Sequence, residues 1–192
     1  SKTSIVYAYV SGGNLTELTR LHGQENRIWV DLDTIPENLQ NAYIALEDKR
    51  FRKHHGVDWI RTIGVIVEYH FSQGGSTITQ QLIKNLTGEN GRTFSRKFNE
   101  IIQALNLERH YNKDQILEAY LNTLYLDAGC YGVETASEYY FGKEVQDLNL
   151  AECACIAAIT QAPRKYNPII NFEKNRERQR MCLDMMYEQG LI

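Results

Sequence analysis

The carboxylate of Glu47 is the first group in the sequence whose position suggests chemistry. It falls at the C-terminal end of a predicted helix, where the helix dipole favours a protonated carboxyl group, and a general base must accept a proton near neutral pH. The basic segment 49–53, Lys-Arg-Phe-Arg-Lys, follows at once and favours the ionised form instead. Such surroundings are also typical of a solvated helix end, so the local pattern leaves a catalytic and a structural interpretation open.

A second candidate is a cluster of two cations and a carboxylate. Arg96 and Lys97 precede Glu100 by four and three residues, which places all three on one face of a helix. Arginine binds phosphate through two parallel donors, so this face is suited to an anionic group. The alternative is a surface ion-pair cluster that contributes little to stability.

The segment 74–81, Gly-Gly-Ser-Thr-Ile-Thr-Gln-Gln, combines a glycine turn with a hydroxyl-rich helix start. Backbone N–H groups at such a start can bind an anion or a sugar. Thr77 and Gln80 have the spacing of a capping box, so a simple capped helix is the alternative. Lys84 and Asn85 add polar side chains further along. A Walker A loop is excluded, because the Gly-Lys-Ser/Thr ending is missing.

Composition and missing motifs exclude several classes of protein. The 192 residues are 43% hydrophobic and 23% charged, as in a globular domain, and the net charge of −3 does not favour nucleic acid as a partner. No apolar run approaches the roughly 20 residues of a membrane span. Zinc-protease, Ser-x-x-Lys and nucleophile-elbow motifs are missing. The four cysteines are too few for a disulfide scaffold, so we expect buried apolar side chains, with one disulfide as the alternative.

Helical periodicity dominates the elements that must position these side chains. Residues 1–30 have β-type content around a turn at 11–14, which predicts a lead-in strand or hairpin. In the helix after Asp58, we expect Ile60, Ile63 and Val67 to face the core. The predicted helices begin near Pro36, after Asp58, at Thr77, near Phe94, near Lys113, at Asn149 and near Phe172.

Five of these segments, in this order, resemble the signature motifs of the peptidoglycan glycosyltransferases, the family shared by class A penicillin-binding proteins and monofunctional transglycosylases. The resemblance runs from about residue 30 to the end of the chain. It divides the chain into a lead-in segment, 1–30, and a glycosyltransferase domain, 31–192, with a membrane anchor and any transpeptidase domain expected outside it. The matching segments are 47–56, 74–81 with Lys84-Asn85, 96–100, 113–122 with 131–134 and 140–143, and 150–163 with Tyr166 and Pro168.

The resemblance implies a mainly α, lysozyme-like fold with two lobes, a central cleft and a short β element near the N-terminus. It also implies the reaction. Lipid II would be polymerised into β-1,4-linked glycan strands by inverting displacement of polyprenyl pyrophosphate from the growing chain. By the same resemblance, Glu47 is the general base on the acceptor 4-hydroxyl and Glu100 assists at the donor side.

The other motif residues are then expected to bind substrate. The cations among them would stabilise the pyrophosphate as negative charge grows on it. One glutamate base together with several basic residues suits the reaction. An inverting displacement needs one base, and a pyrophosphate leaving group needs cations more than it needs a proton. The cations are Lys84, Arg92, Arg96 and Lys97. The remaining candidates are Asp48, Phe51, His54, Ser76, Thr77, Gln80, Gln81 and Asn85.

Partners and location also follow from the resemblance. The substrates would be lipid II and the growing chain on polyprenyl pyrophosphate, and moenomycin-type phosphoglycolipids would inhibit. The domain would work at the extracytoplasmic face of the bacterial membrane, and we expect an apolar patch near residues 62–72 to enter the interface. The one cofactor implied is a divalent cation, Mg²⁺ or Mn²⁺. No metal ligands are assigned, and no organic cofactor is expected.

Asp127 departs from the family pattern, which commonly has glycine there. A left-handed backbone at that position would suit aspartate less well than glycine. Two other functions remain as alternatives. A muramidase or lytic transglycosylase on the same fold would need a protonated acid and no basic cluster, and a non-catalytic glycan- or lipid-binding module would need no pair of glutamates. Nothing in the sequence favours an intracellular scaffold.

Overall fold

The structure is a computed structural model that describes residues 7–10, 14–17, 28–68, 75–88 and 93–192. Strands β1 (Tyr7–Val10) and β2 (Asn14–Glu17) pair antiparallel, with Tyr7 opposite Glu17. The other regular elements of these ranges are helical, including short 3₁₀ turns at Leu32–Thr34 and Val145–Asp147. The α-helices are α1 (Glu37–Glu47), α2 (Trp59–Glu68), α3 (Ile78–Thr87), α4 (Phe94–His110), α5 (Lys113–Thr123), α6 (Val133–Phe141), α7 (Leu150–Ile159), α8 (Pro163–Tyr166) and α9 (Phe172–Glu188).

Polar side chains decide where several helices begin. At the start of α3, Gln80 N donates to Thr77 Oγ1 at 3.1 Å and Thr77 N donates to Gln80 Oε1 at 2.9 Å. Asn149 and Glu152 make the same pair of bonds at the start of α7. These bonds satisfy backbone N–H groups that a helix start leaves unpaired. Both predicted capping boxes are confirmed, and α5 has a third that the sequence analysis did not single out.

The helices form two groups that meet in a shared core. Helices α1, α7, α8 and α9 pack together in one group, and α3 packs against α4 and α5 in the other. Tyr43 of α1 and Tyr120 of α5 join the groups. Both are fully buried, edge to face, with ring centroids 5.7 Å apart. Such a pair contributes about 0.5–1.5 kcal/mol beyond the burial of its area. The predicted mainly α class is confirmed.

The four cysteines lie in this core. All of them are buried and none forms a disulfide. Burial raises the pKa of Cys153 and of Cys182 to about 12, so both thiols stay protonated at neutral pH. The expectation of small buried apolar side chains is confirmed, and the alternative of one disulfide is wrong.

Helix α2 departs from its predicted orientation. Asp58 caps it as predicted, since Asp58 Oδ1 accepts from Arg61 N at 3.2 Å. Ile60 and Ile63 were expected to face the core, but they are 71% and 58% exposed beside a half-exposed Trp59. Apolar spacing shows that residues share a face, but not whether the rest of the fold covers that face. The expected inward side chain of Val67 lies outside the side chains that the structure describes.

Helix α4 also presents apolar side chains to solvent. Phe94 and Phe98 are 96% and 64% exposed, whereas the buried residues of the helix are Glu100, Ala104 and Leu107. Because one buried position is a glutamate, hydrophobic periodicity alone misplaces the inner face of this helix. None of the described helices is both long and apolar enough to cross a membrane.

Candidate active site

A cleft of about 540 Å³ opens between the two groups of helices. It brings together five of the predicted site residues, which come from the end of α1, the start of α3 and the face of α3. These residues are Glu47, Ser76, Gln81, Lys84 and Asn85. The rest of the lining consists of Leu46, Arg61, Tyr120, Leu124, Tyr125, Thr160, Gln161, Pro163, Arg178, Met181 and Met185.

The Glu47 carboxylate is held from two sides. Arg178 Nη2 donates to Glu47 Oε1 at 3.1 Å, and Gln81 Nε2 donates to Glu47 Oε2 at 3.2 Å. Arg61 Nη1 donates to the Glu47 backbone oxygen at 2.7 Å, at the end of α1. The Glu47 side chain remains 12% exposed, so it reaches the cleft. The carboxylate is therefore oriented by fixed donors and still accessible to a ligand.

Arg178 and Arg61 were missed by the sequence analysis. The Arg178 guanidinium is largely buried, where Nε donates to Ala158 O at 3.1 Å and the group lies 5.2 Å from the centre of the Tyr166 ring. Asn175, Arg178 and Cys182 share the buried face of α9. An arginine at a core-facing helical position is rare without a partner, and that spacing is the signal that could have identified Arg178.

The amide of Gln81 joins Glu47 to the core. Tyr120 Oη donates to Gln81 Oε1 at 2.9 Å, and Gln81 Nε2 lies 3.4 Å from Ser76 O. Burial raises the pKa of the Tyr120 hydroxyl well above its usual value, and the charge on Glu47 acts in the same direction. The hydroxyl therefore stays protonated at neutral pH and can donate to Gln81.

The predicted basic cluster lies beside Gln81 and is centred on Ser76. Ser76 Oγ accepts from Lys84 Nζ at 2.9 Å and from Lys97 Nζ at 3.0 Å. The buried carboxylate of Glu100 accepts from Lys97 Nζ at 2.7 Å and from Arg96 Nη1 at 3.2 Å. Burial lowers the pKa of Lys84; Glu100 opposes this shift, and the neighbouring cations Lys97 and Arg96 add to it. Cationic groups thus converge on one hydroxyl at the edge of the cleft.

Three predicted substrate-binding residues lie beneath the cleft surface, in the loop after α1. Asp48 and Phe51 are buried, and the His54 side chain is nearly so. Asp48 Oδ2 contacts His54 Nε2 at 2.7 Å and accepts from Ile78 N, at the start of α3, at 3.0 Å. Gly56 N donates to His54 Nδ1 at 3.0 Å, so Nε2 carries the proton that bonds to Asp48. Asp48 thus ties the loop of Glu47 to the start of α3, and His54 holds Asp48 from within the loop.

Thr77 and Gln80, also predicted to bind substrate, are buried as well. Their side chains form the capping box of α3, and Thr77 Oγ1 also donates to Gly56 O at 2.7 Å. They connect the loop and the helix instead of lining the cleft. Arg92 lies outside the described residues.

Asp127 has the left-handed backbone considered from the sequence. Its φ is 61°, and that of Ala128 is 52°. Asp127 Oδ2 accepts from Asn167 Nδ2 at 2.6 Å. Aspartate tolerates this conformation better than most residues, and here a side-chain hydrogen bond holds it in place. The bond joins the 127 loop to Asn167, just after α8, and α8 itself begins with the cleft residue Pro163.

The described residues contain no group of three or more histidines, cysteines or carboxylates that could hold a metal ion. The carboxylates nearest the cleft, Glu47 and Glu100, already accept from basic side chains. The protein groups that neutralise charge at this site are therefore lysine and arginine.

Comparison with known proteins shows the family. The family model described as Transglycosylase matches residues 13–187. Penicillin-binding protein 1F of Bacillus subtilis is 49% identical over 173 residues, and penicillin-binding protein 1A of Aquifex aeolicus is 45% identical over 174 residues. Each alignment covers 88% of this chain and 24% of the relative. The chain thus spans about a quarter of the length of these relatives.

A solved structure shows the fold. The crystal structure of penicillin-binding protein 1A from Haemophilus influenzae aligns with all of this chain, over 19% of its own length, with a TM-score of 0.51 and 24% identity. This likeness confirms the predicted lysozyme-like helical fold. The chain belongs to the transglycosylase family and is a peptidoglycan glycosyltransferase domain similar to those of class A penicillin-binding proteins.

Proposed function

We propose that this domain polymerises lipid II into β-1,4 glycan strands, with Glu47 as the general base on the acceptor 4-hydroxyl. The observation that carries the proposal is the pairing of two features in one cleft. A carboxylate held by Arg178 and Gln81 reaches the cleft, and two lysines converge on Ser76 beside it. One oriented base and a cationic pocket are what an inverting displacement of pyrophosphate requires.

Glu47 acts on the acceptor side. As the acceptor oxygen attacks the anomeric carbon of the donor sugar, its proton passes to the Glu47 carboxylate. The bond from the anomeric carbon to the pyrophosphate oxygen breaks, and its electron pair leaves with the pyrophosphate. Arg178 and Gln81 keep the carboxylate in one orientation, so the geometry for proton transfer exists before substrate arrives.

The lysines act on the leaving group. Lys84 and Lys97 donate to Ser76 Oγ in the absence of substrate, and phosphate oxygens would compete for these protons. A charge-assisted bond to phosphate is stronger than one to a hydroxyl, so the exchange favours bound pyrophosphate. Both oxygens of Glu100 are bonded to Lys97 and Arg96, so we assign Glu100 the task of positioning these cations.

The predicted rival, a hydrolase on the same fold, fits the site less well. Hydrolysis requires a carboxylic acid that donates a proton to the leaving sugar. Each buried or half-buried carboxylate near the cleft pairs with a cation, Glu47 with Arg178 and Glu100 with Lys97, and such pairing suits a base better than an acid.

We also propose that the domain works at the outer face of the bacterial membrane, with the apolar face of α2 in the interface. Trp59, Ile60 and Ile63 are exposed on this helix, close to Arg61 at the cleft. Exposed apolar side chains beside a site for a lipid-linked substrate suit a surface that meets the bilayer. Moenomycin-type phosphoglycolipids would occupy the basic, donor side of the cleft.

The proposal is tested by assaying the protein with the substrate of a polymerase and, separately, with the substrate of a hydrolase. With fluorescent lipid II in detergent, we expect strands that lengthen with time and whose formation moenomycin blocks. With purified cell-wall sacculi, we expect no release of soluble fragments. Soluble muropeptides without polymerisation would identify a hydrolase, and inactivity on both substrates would favour a binding module.

A further inference from the structure

We propose that Tyr120 is a positioning residue for the base, because its hydroxyl anchors the Gln81 amide in the orientation that donates to Glu47. The inference rests on the proposed role of Glu47. It adds a residue outside the motif positions assigned to substrate, and one that contacts the base only through another side chain.

The two ends of the Gln81 amide are nearly identical in shape, so only their partners distinguish them. In the structure, Gln81 Oε1 accepts from Tyr120 Oη at 2.9 Å, while Nε2 faces Glu47 Oε2 at 3.2 Å and Ser76 O at 3.4 Å. Reversing the amide would place its oxygen against these two acceptors. It would also leave the buried Tyr120 proton without Gln81 Oε1, the acceptor that it has in the structure. The tyrosine and the carboxylate therefore favour the same orientation.

The Tyr120 hydroxyl is suited to this task because it cannot change its own state. Burial keeps it protonated, as its raised pKa shows. Its ring is fully buried and packs edge to face on Tyr43, so the core fixes the position of the hydroxyl independently of the cleft.

Tyr43 provides a matched control. It is equally buried and belongs to the same aromatic pair, but its hydroxyl accepts from Thr160 Oγ1 at 3.1 Å instead of contacting Gln81. Replacing either tyrosine with phenylalanine keeps the ring and removes one hydroxyl. Only the change at Tyr120 removes a hydrogen-bond partner of the Gln81 amide.

The kinetic test compares Tyr120→Phe, Tyr43→Phe, Gln81→Leu and the double variant Tyr120→Phe/Gln81→Leu in lipid II polymerisation across pH. Without its Tyr120 anchor, the Gln81 amide is held less firmly as a donor to the Glu47 carboxylate, and this disfavours the ionised base. We therefore expect the acidic limb of the rate profile to move to higher pH by about one unit in Tyr120→Phe. Tyr43→Phe should keep the wild-type limb, and the double variant should match Gln81→Leu alone. An equal shift in Tyr43→Phe, or additive shifts in the double variant, would overturn the inference.

A second measurement does not depend on activity. The side-chain amide of Gln81 is identified by NMR as the signal that Gln81→Leu removes. We expect its hydrogen exchange to accelerate about tenfold in Tyr120→Phe and to stay unchanged in Tyr43→Phe. Unchanged exchange in folded Tyr120→Phe would overturn the inference even where polymerisation is normal. A wild type that does not polymerise lipid II would instead overturn the proposed function, and the exchange data would still decide the role of Tyr120.

Discussion

Arg178 and Glu47 lie 131 residues apart in the chain, and their side chains meet with Nη2 3.1 Å from Oε1. The contact joins the end of α1 to the last helix, so the catalytic side of the cleft is complete only when α9 has packed. Arg178 Nε is meanwhile fixed on Ala158 O in α7. The guanidinium thus links the base to the most apolar helix of the core.

Arg178→Lys should lower kcat for lipid II polymerisation by about tenfold to a hundredfold. A lysine keeps the charge but cannot bond to Glu47 and Ala158 together, and a bond to a charged group is worth about 1.5–3 kcal/mol. Arg180→Lys, on the exposed side of the same helix, is the control and should remain at the wild-type rate. Equal rates for both variants would show that the Arg178 contact does not orient the base.

The rate of polymerisation should fall on the alkaline side of its pH profile as Lys84 loses its proton. Burial lowers its pKa below the ordinary 10.5, so Lys84 loses its charge, as pH rises, before an exposed lysine does. Because the cation stabilises the leaving pyrophosphate, the rate should fall over the same range. Lys84→Arg keeps its charge and should move this fall in rate to higher pH, although its plateau is expected to be lower. Lys53→Arg, on the exposed loop, is the control and should leave the alkaline fall in rate where it is in the wild type. If Lys84→Arg also leaves it unchanged, the fall is caused by another group.

Gly56→Ala should destabilise the loop that follows Glu47. Gly56 has φ +107°, and an added Cβ would lie 2.7 Å from Ala104 O in α4. Strain and overpacking together are expected to cost about 2–4 kcal/mol in urea unfolding. Gly88→Ala is the matched control, because Gly88 has φ +68° but nothing within 4 Å of its added Cβ. It should cost only the backbone strain, about 1–2 kcal/mol. Equal losses would mean that the contact with α4 is not tight.

Ile60→Asp and Ile63→Asp should weaken binding to lipid vesicles without unfolding the domain. Both side chains are more than half exposed, so the folded state loses little buried area, while a carboxylate opposes entry into the interface. The control is Ile169→Asp, an exposed isoleucine after α8. In liposome flotation, a loss confined to the two α2 variants supports the proposed membrane face. A loss shared with Ile169→Asp points to a general effect of charge.

The sequence predicted where the helices begin better than it predicted which of their faces is buried. Capping boxes such as Thr77–Gln80 are local, so their spacing located helix starts correctly. The side on which a helix is covered depends on elements far away in the chain, and for that reason Ile60 and Ile63 were placed in the core. Glu100 is buried because Lys97 and Arg96 neutralise it, and hydrophobic patterns carry no such information.

Contacts between distant segments account for what the sequence analysis missed. Tertiary packing brings Arg178 to Glu47 and Tyr120 to Gln81. Arg178 lies in a segment rich in charged residues and Tyr120 is one of 12 tyrosines, so residue type alone singles out neither. The buried positions of Asp48 and His54 are of the same kind. Their residue types suggest substrate binding, but their partners are the loop of Glu47 and the start of α3.

Glu47→Gln tests the central claim most directly, because it keeps the size of the side chain and removes its ability to accept a proton. The measurement is polymerisation of fluorescent lipid II by wild type and variant, with equal folding checked by thermal melts. The proposed mechanism predicts that the wild type makes strands and that the variant loses activity by at least about a hundredfold. A variant that still polymerises at a rate near wild type would contradict the assignment of Glu47 as the base.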